Sequence, residues 1–309
     1  DARLCIVIIG AVAILWTFMG GMQTVIWTDV IQFCLFIFGG VLALVLLVNE
    51  LGWSQIVELN QVTVDGQDKD KLRWLDFTTP FQDPTLRYTM WVALIAMPFQ
   101  NFTAFGVDQL NTQRMFCCGN IKDARKAMCW SSLSMFVTIL MLSVGAGLFA
   151  WYRVNEPSGG IALSFENSNN VFPTWITMEV PLGLSGLVLA GAFAAAISSL
   201  DSILAALSQT SLSVIYGREK LEAEGKGLEM VRLSRIVVCI WGVILTAAGL
   251  GLWVVYENNE DSDLIGLASG MVAYTYGPLL GVLAAAILPI KVSTKGLIVG
   301  TTLSILLVS

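Results

Sequence analysis

Long apolar segments dominate this chain, and their length limits what it can fold into. Seven of them reach the roughly 20 residues that a helix needs to cross a hydrocarbon core about 30 Å thick. Charged residues make up only 13% of the 309 residues, against about 25% in soluble domains, and the mean hydropathy is +0.74. Runs such as Leu182 to Ala206 are continuously apolar or small, unlike barrel strands. The sequence therefore predicts an all-α polytopic membrane protein.

The apolar segments predict about eight membrane helices in a single transmembrane domain, residues 1–309. The predicted helices are Leu4 to Met19, Met22 to Val48, Leu86 to Leu110, Ala127 to Tyr152, Leu182 to Tyr216, Arg235 to Tyr256, Leu264 to Leu288 and one from near Gly296. Residues 50–84 are too polar to span and are predicted to form an extracytoplasmic loop with a short amphipathic helix. Because the chain starts at Asp1 and ends inside an apolar segment, we expect a fragment of a longer protein.

Basic residues predict which side of the membrane each loop faces. Eleven of the 17 Lys and Arg residues fall within 114–126, 218–235 and 291–295, which are loops on one side. Since cytoplasmic loops carry an excess of these residues, this side is predicted to be cytoplasmic. We expect a multi-pass protein of the plasma (cell inner) membrane, with the lipid bilayer around it and no nucleic-acid partner.

The absence of histidine excludes several kinds of catalytic site. Histidine-based metal sites, Ser-His-Asp triads and Cys-His pairs all require it. The six cysteines contain no CxxC pair for zinc. The best nucleophile would be Ser198 or Ser202 beside Asp201, but no suitable base accompanies it. We therefore expect a protein that is not an enzyme.

Two aspartates fall inside predicted helices, where a charged side chain costs roughly 2.5 to 3.5 kcal/mol to insert. Asp29 lies about two turns inside the inner end of its helix, where cytoplasmic water could also solvate it. Asp201 follows a long run of apolar and small residues. Each is a candidate functional residue, and Asp201 is the stronger of the two.

Ser198, Asp201 and Ser202 have the i, i+3, i+4 spacing that places side chains on one helical face. Several oxygen ligands suit a small hard cation such as Na⁺, and a carboxylate compensates its charge. Alternatively, the serines donate to carbonyl groups four residues earlier and Asp201 pairs with a neighbouring helix. The small residues from Gly183 to Ala196 would let another helix come close.

The segment from Met97 to Gln109 combines a proline and a glycine with aromatic and amide side chains. Pro98 removes a helical hydrogen bond and Gly106 tolerates unusual dihedral angles, so we predict a break in this helix. A break exposes polar backbone to a solute. The alternative is a kinked packing helix whose amides point at other helices.

Four short motifs follow one another along the chain. They are Gly20-Gly21 to Gln32 with Trp27-Thr28-Asp29, Phe105-Gly106-Val107-Asp108-Gln109 to Gln113-Arg114, Ala194 to Tyr216 with Ser198-Ser199, and the weaker Tyr276-Gly277-Pro278-Leu279-Leu280-Gly281. In order and separation they resemble the sodium:solute symporter family over nearly the whole chain. The resemblance implies a LeuT-like bundle of two inverted five-helix repeats (5+5), of which the first core helices are missing here.

The resemblance also implies ion-binding residues. The family's main sodium site would map to Ala195, Ser198 and Ser199, together with carbonyl groups of the missing first core helix. A second cation site, present in some members, would map to Asp29, Ser198 and Ser202. In this chain it would also include Asp201 beside Ser202, so the possible second site comprises Asp29, Asp201 and Ser202. Asp201 departs from the hydroxyl residue usual in those members, and it would either strengthen this site or admit a proton instead.

For the solute, the resemblance nominates five weaker candidates: Asn101, Phe102, Phe105, Ser269 and Tyr274. It implies sodium-coupled secondary active symport of a small organic solute by alternating access, with Na⁺ as the coupling ion. Sugar, amino acid, carboxylate and vitamin all remain open as the solute. The rival interpretation is a transporter-like membrane sensor domain coupled to a signalling module.

Overall fold

The computed structural model of this protein describes residues 2–20, 22–64, 67–70, 90–155, 170–217, 227–257, 264–289 and 292–308. Its helices are α1 (Ala2–Met19), α2 (Met22–Leu51), α3 (Trp53–Asn60), α4 (Met97–Gly106), α5 (Gln109–Phe116), α6 (Ile121–Ser131), α7 (Met135–Asn155), α8 (Val171–Glu179), α9 (Leu184–Tyr216), α10 (Gly227–Glu257), α11 (Leu264–Ile287) and α12 (Thr294–Val308). Each of the predicted apolar segments therefore contains a helix.

Among the described residues, six helical stretches are long and apolar enough to cross a membrane. They are Ala2–Met19, Thr24–Leu51, Ile121–Asn155, Leu184–Tyr216, Leu228–Glu257 and Gly270–Ile287. Val92–Gly106 and Thr294–Leu307 are apolar but shorter. The prediction of a helical, polytopic membrane architecture is confirmed, whereas the predicted number of about eight membrane helices is not.

The predicted extracytoplasmic loop, residues 50–84, contains regular structure in its first half. The amphipathic helix expected there is α3, which packs on α7. Asn60 fixes this packing, because its buried Nδ2 donates to the carbonyl oxygens of Ile56 (2.8 Å) and Ala146 (3.0 Å). Residues 71–84 lie outside the described residues, and the side of the membrane that the loop faces stays a prediction.

This loop also contains two short paired strands, which were not predicted from the sequence and which leave the all-α fold class unchanged. Strands β1 (Gln61–Val64) and β2 (Gln67–Asp70) pair antiparallel, with Gln61 opposite Asp70. The β-branched run Val62-Thr63-Val64 explains the strand, since these side chains lose rotamer freedom in a helix and favour a pleated strand.

Contacts divide the chain into two compact units, which we describe separately. The first comprises Asp1–Asn60 and Met128–Asp261, and the second comprises Gln61–Ala127 and Ser262–Ser309. The prediction of a single domain for residues 1–309 concerns the chain as a whole and stays a prediction.

Helix α9 is the centre of the first unit, because it contacts α1, α2, α8 and α10. One buried cluster joins α2, α7, α8 and α9 through Leu47, Leu148, Trp175 and Val188. A second cluster joins α1, α9 and α10 through Ala13, Leu204 and Val238. Lipid tails are as apolar as these side chains, so close packing and interhelical hydrogen bonds hold such helices together.

In the second unit, α4 packs on α11 and α11 packs on α12. A π-helical turn, Val92–Ala96, precedes Pro98, and the helix is interrupted at Val107 and Asp108 before α5 begins. The helix continues through Pro98 and is interrupted after Gly106. A break near the membrane midplane, as the sequence predicts, stays a prediction, and the expected role of Gly106 was wrong. Its backbone is not among the positive-φ glycines; instead, a Cβ there would lie 3.0 Å from Cδ2 of Leu283, so glycine serves close packing on α11.

Candidate cation site

The candidate site lies where α2 and α9 come into near backbone contact. A Cβ atom on Gly191 would lie 2.9 Å from the carbonyl oxygen of Leu35, so a larger residue does not fit without a shift of backbone. A Cβ atom on Gly39 would lie 3.4 Å from Cα of Val188. Residue numbers fall along α2 as they rise along α9, so the two helices are antiparallel.

Asp29 and Ser198 meet about two turns further along this seam. The Oγ hydroxyl of Ser198 donates a hydrogen bond to Oδ1 of Asp29. A hydroxyl that donates one hydrogen bond still has two lone pairs, and a carboxylate has several acceptor positions. The structure therefore brings together two residues from separate sequence motifs, and their oxygens remain able to bind a cation.

Asp201 is fully buried on α9, one turn beyond Ser198. Its Oδ1 accepts a hydrogen bond of 3.1 Å from Oγ1 of Thr17 on α1. Its Oδ2 is buried and has no hydrogen-bond partner among the residues that the structure describes. The carboxylate of Asp29 interacts with it electrostatically. An unpaired buried carboxylate is costly in apolar surroundings, so Oδ2 is well suited to bind a cation.

Thr17 is a candidate that sequence reasoning missed. It is an isolated hydroxyl residue in the apolar helix α1, 184 residues from Asp201, and no spacing rule links the two. Ser202 follows Asp201 and is also buried. Side chains from α1, α2 and α9 thus converge, whereas sequence analysis identified only the contributions of α2 and α9.

Ser199 and Ala195 are joined within α9. The hydroxyl of Ser199 donates to the carbonyl oxygen of Ala195 at 3.2 Å, which is the back-bonding that the sequence left open as an alternative. The pairing of Asp201 with Thr17 on a neighbouring helix was the other part of that alternative. Both contacts are compatible with ion binding, because donating a proton leaves the lone pairs of each hydroxyl free.

Buried polar atoms without a partner also occur in this seam. The described residues contain four such side-chain atoms: Gln32 Oε1, Gln113 Nε2, Trp175 Nε1 and Asp201 Oδ2. Gln32 lies one turn from Asp29 on α2 and Asp201 lies one turn from Ser198 on α9, so two of the four belong to this seam. Native proteins pair nearly all buried polar groups. The unpaired oxygens of Gln32 and Asp201 are therefore candidates to bind a cation.

The chemistry of these ligands favours a hard cation. No group of three or more His, Cys, Asp or Glu side chains suited to a metal occurs within the described ranges. The seam offers hydroxyl, carboxylate and amide oxygens, which bind hard cations and disfavour soft transition metals. Na⁺ therefore fits these residues.

The predicted solute-binding residues belong to the second unit. Asn101, Phe102 and Phe105 lie on α4, where the side chain of Phe102 is 57% exposed, and Tyr274 lies on α11. Ser269 is also on α11, but its side chain is outside the described residues. Although α4 packs on α11, no hydrogen bond or ring contact joins the described side chains of this set. Their role stays a prediction.

The break after α4 is tied to α11 by a hydrogen bond from the Tyr276 hydroxyl to Oδ2 of Asp108, at 3.0 Å. Oδ1 of Asp108 accepts from the Leu110 amide at 2.9 Å and caps α5.

We expect Tyr276→Phe to lower the free energy of unfolding by about 1 kcal/mol, because the hydrogen bond to Asp108 is lost while the cap of α5 remains. Thermal unfolding of the purified protein in detergent measures this.

Tyr274→Phe is the matched control for that variant. Tyr274 lies two residues earlier on the same helix, and its side chain is 37% exposed. Its unfolding temperature should equal that of the unmodified protein. Equal losses in both variants, or none in Tyr276→Phe, would contradict the assigned role of the Asp108 bond.

A family model of known proteins matches residues 1–303, and its description is the sodium:solute symporter family. The chain belongs to this family. The sodium/sialic acid symporter SiaT of Proteus mirabilis is 26% identical over 320 residues, which covers 100% of this chain and 59% of that protein. The sodium/glucose cotransporter of Vibrio parahaemolyticus is 26% identical over 95% of this chain and 54% of its own length.

The fold comparison agrees with this assignment. The structure of a Na⁺-coupled sialic acid symporter in a substrate-bound outward-open state, with a Na⁺ site described as novel, matches with a TM-score of 0.75. It is 26% identical, and the match covers 99% of this chain and 60% of that one. The family resemblance inferred from the four motifs is thereby confirmed. The chain spans rather more than half the length of these relatives.

Proposed function

We propose that the natural protein containing this chain is a sodium-coupled secondary active symporter of a small organic solute. Membership of the sodium:solute symporter family and the likeness to sodium-coupled relatives support this proposal. The observation that carries it is the cluster of Asp29, Ser198 and buried Asp201 on helices long enough to span a membrane. A cluster of this kind is unfavourable inside a membrane without a cation.

We assign the main sodium site to the carbonyl group of Ala195 and the hydroxyl groups of Ser198 and Ser199. A second cation site is assigned to Asp29, Asp201 and Ser202. The two sites are adjacent, because Ser198 donates to Asp29 and lies one turn before Asp201. We propose that Asp201 strengthens the second site rather than admitting a proton, because it adds a carboxylate whose buried Oδ2 has no described hydrogen-bond partner.

The solute is assigned to residues of α4 and α11, namely Asn101, Phe102, Phe105, Ser269 and Tyr274. Aromatic faces and an amide suit a small organic molecule with both polar and apolar parts. Relatives are named for sialic acid, monocarboxylates, glucose and iodide. Sialic acid is the first solute to test.

We place the protein in the plasma membrane. Apolar side chains such as Leu142 (68% exposed) and Val243 (65%) would face lipid there.

Coupling follows from the energy that one sodium ion releases as it enters a cell. Crossing 100 mV contributes about 2.3 kcal/mol per charge, and a tenfold gradient adds about 1.4 kcal/mol. The sum of about 3.7 kcal/mol supports roughly 500-fold accumulation of a neutral solute. In an alternating-access cycle, sodium and solute would together favour the closed state, and both would leave on the inner side.

The test is uptake by the natural full-length protein in lipid vesicles. Labelled sialic acid, lactate and glucose would be offered with an inward gradient of sodium, or of potassium as the control. We expect transient accumulation of one solute above equilibrium only with the sodium gradient. Solute binding without sodium-dependent flux would instead support the sensor interpretation, and accumulation with either cation would contradict sodium coupling.

A further inference from the structure

We propose that Thr17 of α1 is a positioning residue for the second cation site, which would then be built from three helices. This inference rests on the proposed sodium-coupled function and deepens it. Thr17 is 9% exposed and Asp201 is 0% exposed, so the hydrogen bond between them is buried. Among the described residues, this hydrogen bond links α1 to the carboxylate of Asp201.

The hydrogen bond from Thr17 fixes how the carboxylate of Asp201 is presented. Oδ1 is occupied by the threonine hydroxyl at 3.1 Å, while Oδ2 is buried without a described hydrogen-bond partner. Without Thr17 the carboxylate could rotate about its terminal torsion, which has a broad minimum. Holding one oxygen therefore directs the other, and preorganised ligands bind an ion more tightly than mobile ones.

Helix α1 is itself held firmly enough for this role. A Cβ on Gly10 would lie 2.3 Å from Oγ1 of Thr246, and a Cβ on Gly242 would lie 2.2 Å from Cγ1 of Ile14. These short distances show that α1 and α10 lie very close together at both glycines. In addition, the Arg235 guanidinium lies 5.3 Å from the ring centre of Phe18, next to Thr17. The hydroxyl of Thr17 thus projects from a helix that cannot shift sideways without disturbing its neighbour.

The position of Thr17 also explains why a carboxylate is tolerated at residue 201. A hydrogen bond to a charged group offsets part of the cost of burying it.

The test compares Thr17→Val, which removes the hydroxyl with little change of shape, with Thr17→Ser, which keeps it. Binding of ²²Na⁺ to the full-length protein in detergent would be measured together with the sodium dependence of uptake. In Thr17→Val we expect the half-saturating sodium concentration of the second ion to rise about tenfold and the Hill coefficient to fall towards 1. Uptake at saturating sodium should be retained, and Thr17→Ser should behave like the unmodified protein.

A double-mutant cycle separates positioning from simple packing. In an Asp201→Asn background, Thr17→Val should change sodium affinity by less than about twofold, because the residue on which it acts is already altered. An undiminished effect in that background would overturn the proposal, as would lower thermal stability with unchanged sodium affinity. If Thr17→Val does not fold, Thr17→Ala removes the same hydroxyl without the added methyl group.

Ser208→Ala provides the matched control. Ser208 is buried on α9 and its hydroxyl contacts Ser234 of α10 at 3.0 Å, two turns from Asp201. It should lower stability but leave sodium affinity unchanged. If the unmodified protein binds no sodium, the proposed function fails. If the unmodified protein binds sodium and Ser199→Ala weakens that binding, but Thr17→Val does not, then only the inference about Thr17 fails.

Discussion

Replacing Gly191 with valine is expected to remove both stable folding and sodium binding. A Cβ at this position would lie 2.9 Å from the carbonyl oxygen of Leu35 and 3.3 Å from Cα of Phe36, which are backbone atoms that cannot rotate away. Helices α2 and α9 would have to separate, at a cost of about 3 kcal/mol or more in the free energy of unfolding. The same separation would break the hydrogen bond from Ser198 to Asp29 and so disrupt the proposed cation site.

Gly186→Val is the control for this substitution. Gly186 lies on the same helix, but a Cβ there meets no atom within 4 Å. The unfolding temperature and sodium affinity should therefore stay near those of the unmodified protein. Thermal unfolding in detergent with and without sodium measures both effects. Equal loss in both variants would show that glycine matters for the helix itself, and a stable, sodium-binding Gly191→Val protein would refute the close α2–α9 packing.

Helix positions could be predicted from the sequence because apolar length is a strong constraint in a membrane protein. The runs around Met22 and Leu182 contain no competing signal, and both became long helices. The hairpin at 61–70 was missed because two four-residue strands in a polar loop give only a weak pattern. The run Val62-Thr63-Val64 was its one sequence signal.

Ion-site candidates could be predicted within α9, because helical spacing places Ser198, Asp201 and Ser202 on one face. Their partners on other helices depend on tertiary packing, which periodicity does not contain. Asp29 could be suggested as a charged residue inside an apolar helix, and its contact with Ser198 is seen only in the structure. Thr17 had no distinguishing signal, since a single threonine is common in membrane helices.

Gly106 shows a different limit of sequence reasoning. Its identity correctly indicated an irregular region, but glycine permits both unusual dihedral angles and close packing. The irregular residues are instead Val107 and Asp108, and the side chain of Asp108 caps the next helix. The sequence alone cannot tell whether a glycine is present for its unusual dihedral angles or for close packing, because that depends on which atoms lie beside it.

Ser199→Ala is expected to weaken sodium binding at the main site by about 10-fold to 100-fold and to abolish uptake at ordinary sodium concentrations. The substitution removes a hydroxyl that we propose as a sodium ligand, and loss of one interaction with a charged group costs about 1.5 to 3 kcal/mol. Stability should change little, because among the described residues the hydroxyl donates to the carbonyl oxygen of Ala195 within its own helix. Sodium titration of uptake and of ²²Na⁺ binding measures the loss.

Ser213→Ala distinguishes ion binding from back-bonding. Ser213 also lies on α9, is exposed, and donates to a carbonyl oxygen of its own helix, that of Thr210, at 2.8 Å. If the hydroxyl of Ser199 only back-bonds, the two variants should behave alike and keep full sodium affinity. If Ser199 binds sodium, only its variant should lose affinity, and Ser199→Thr, which restores a hydroxyl, should recover much of it. Full sodium affinity in Ser199→Ala would remove Ser199 from the main site.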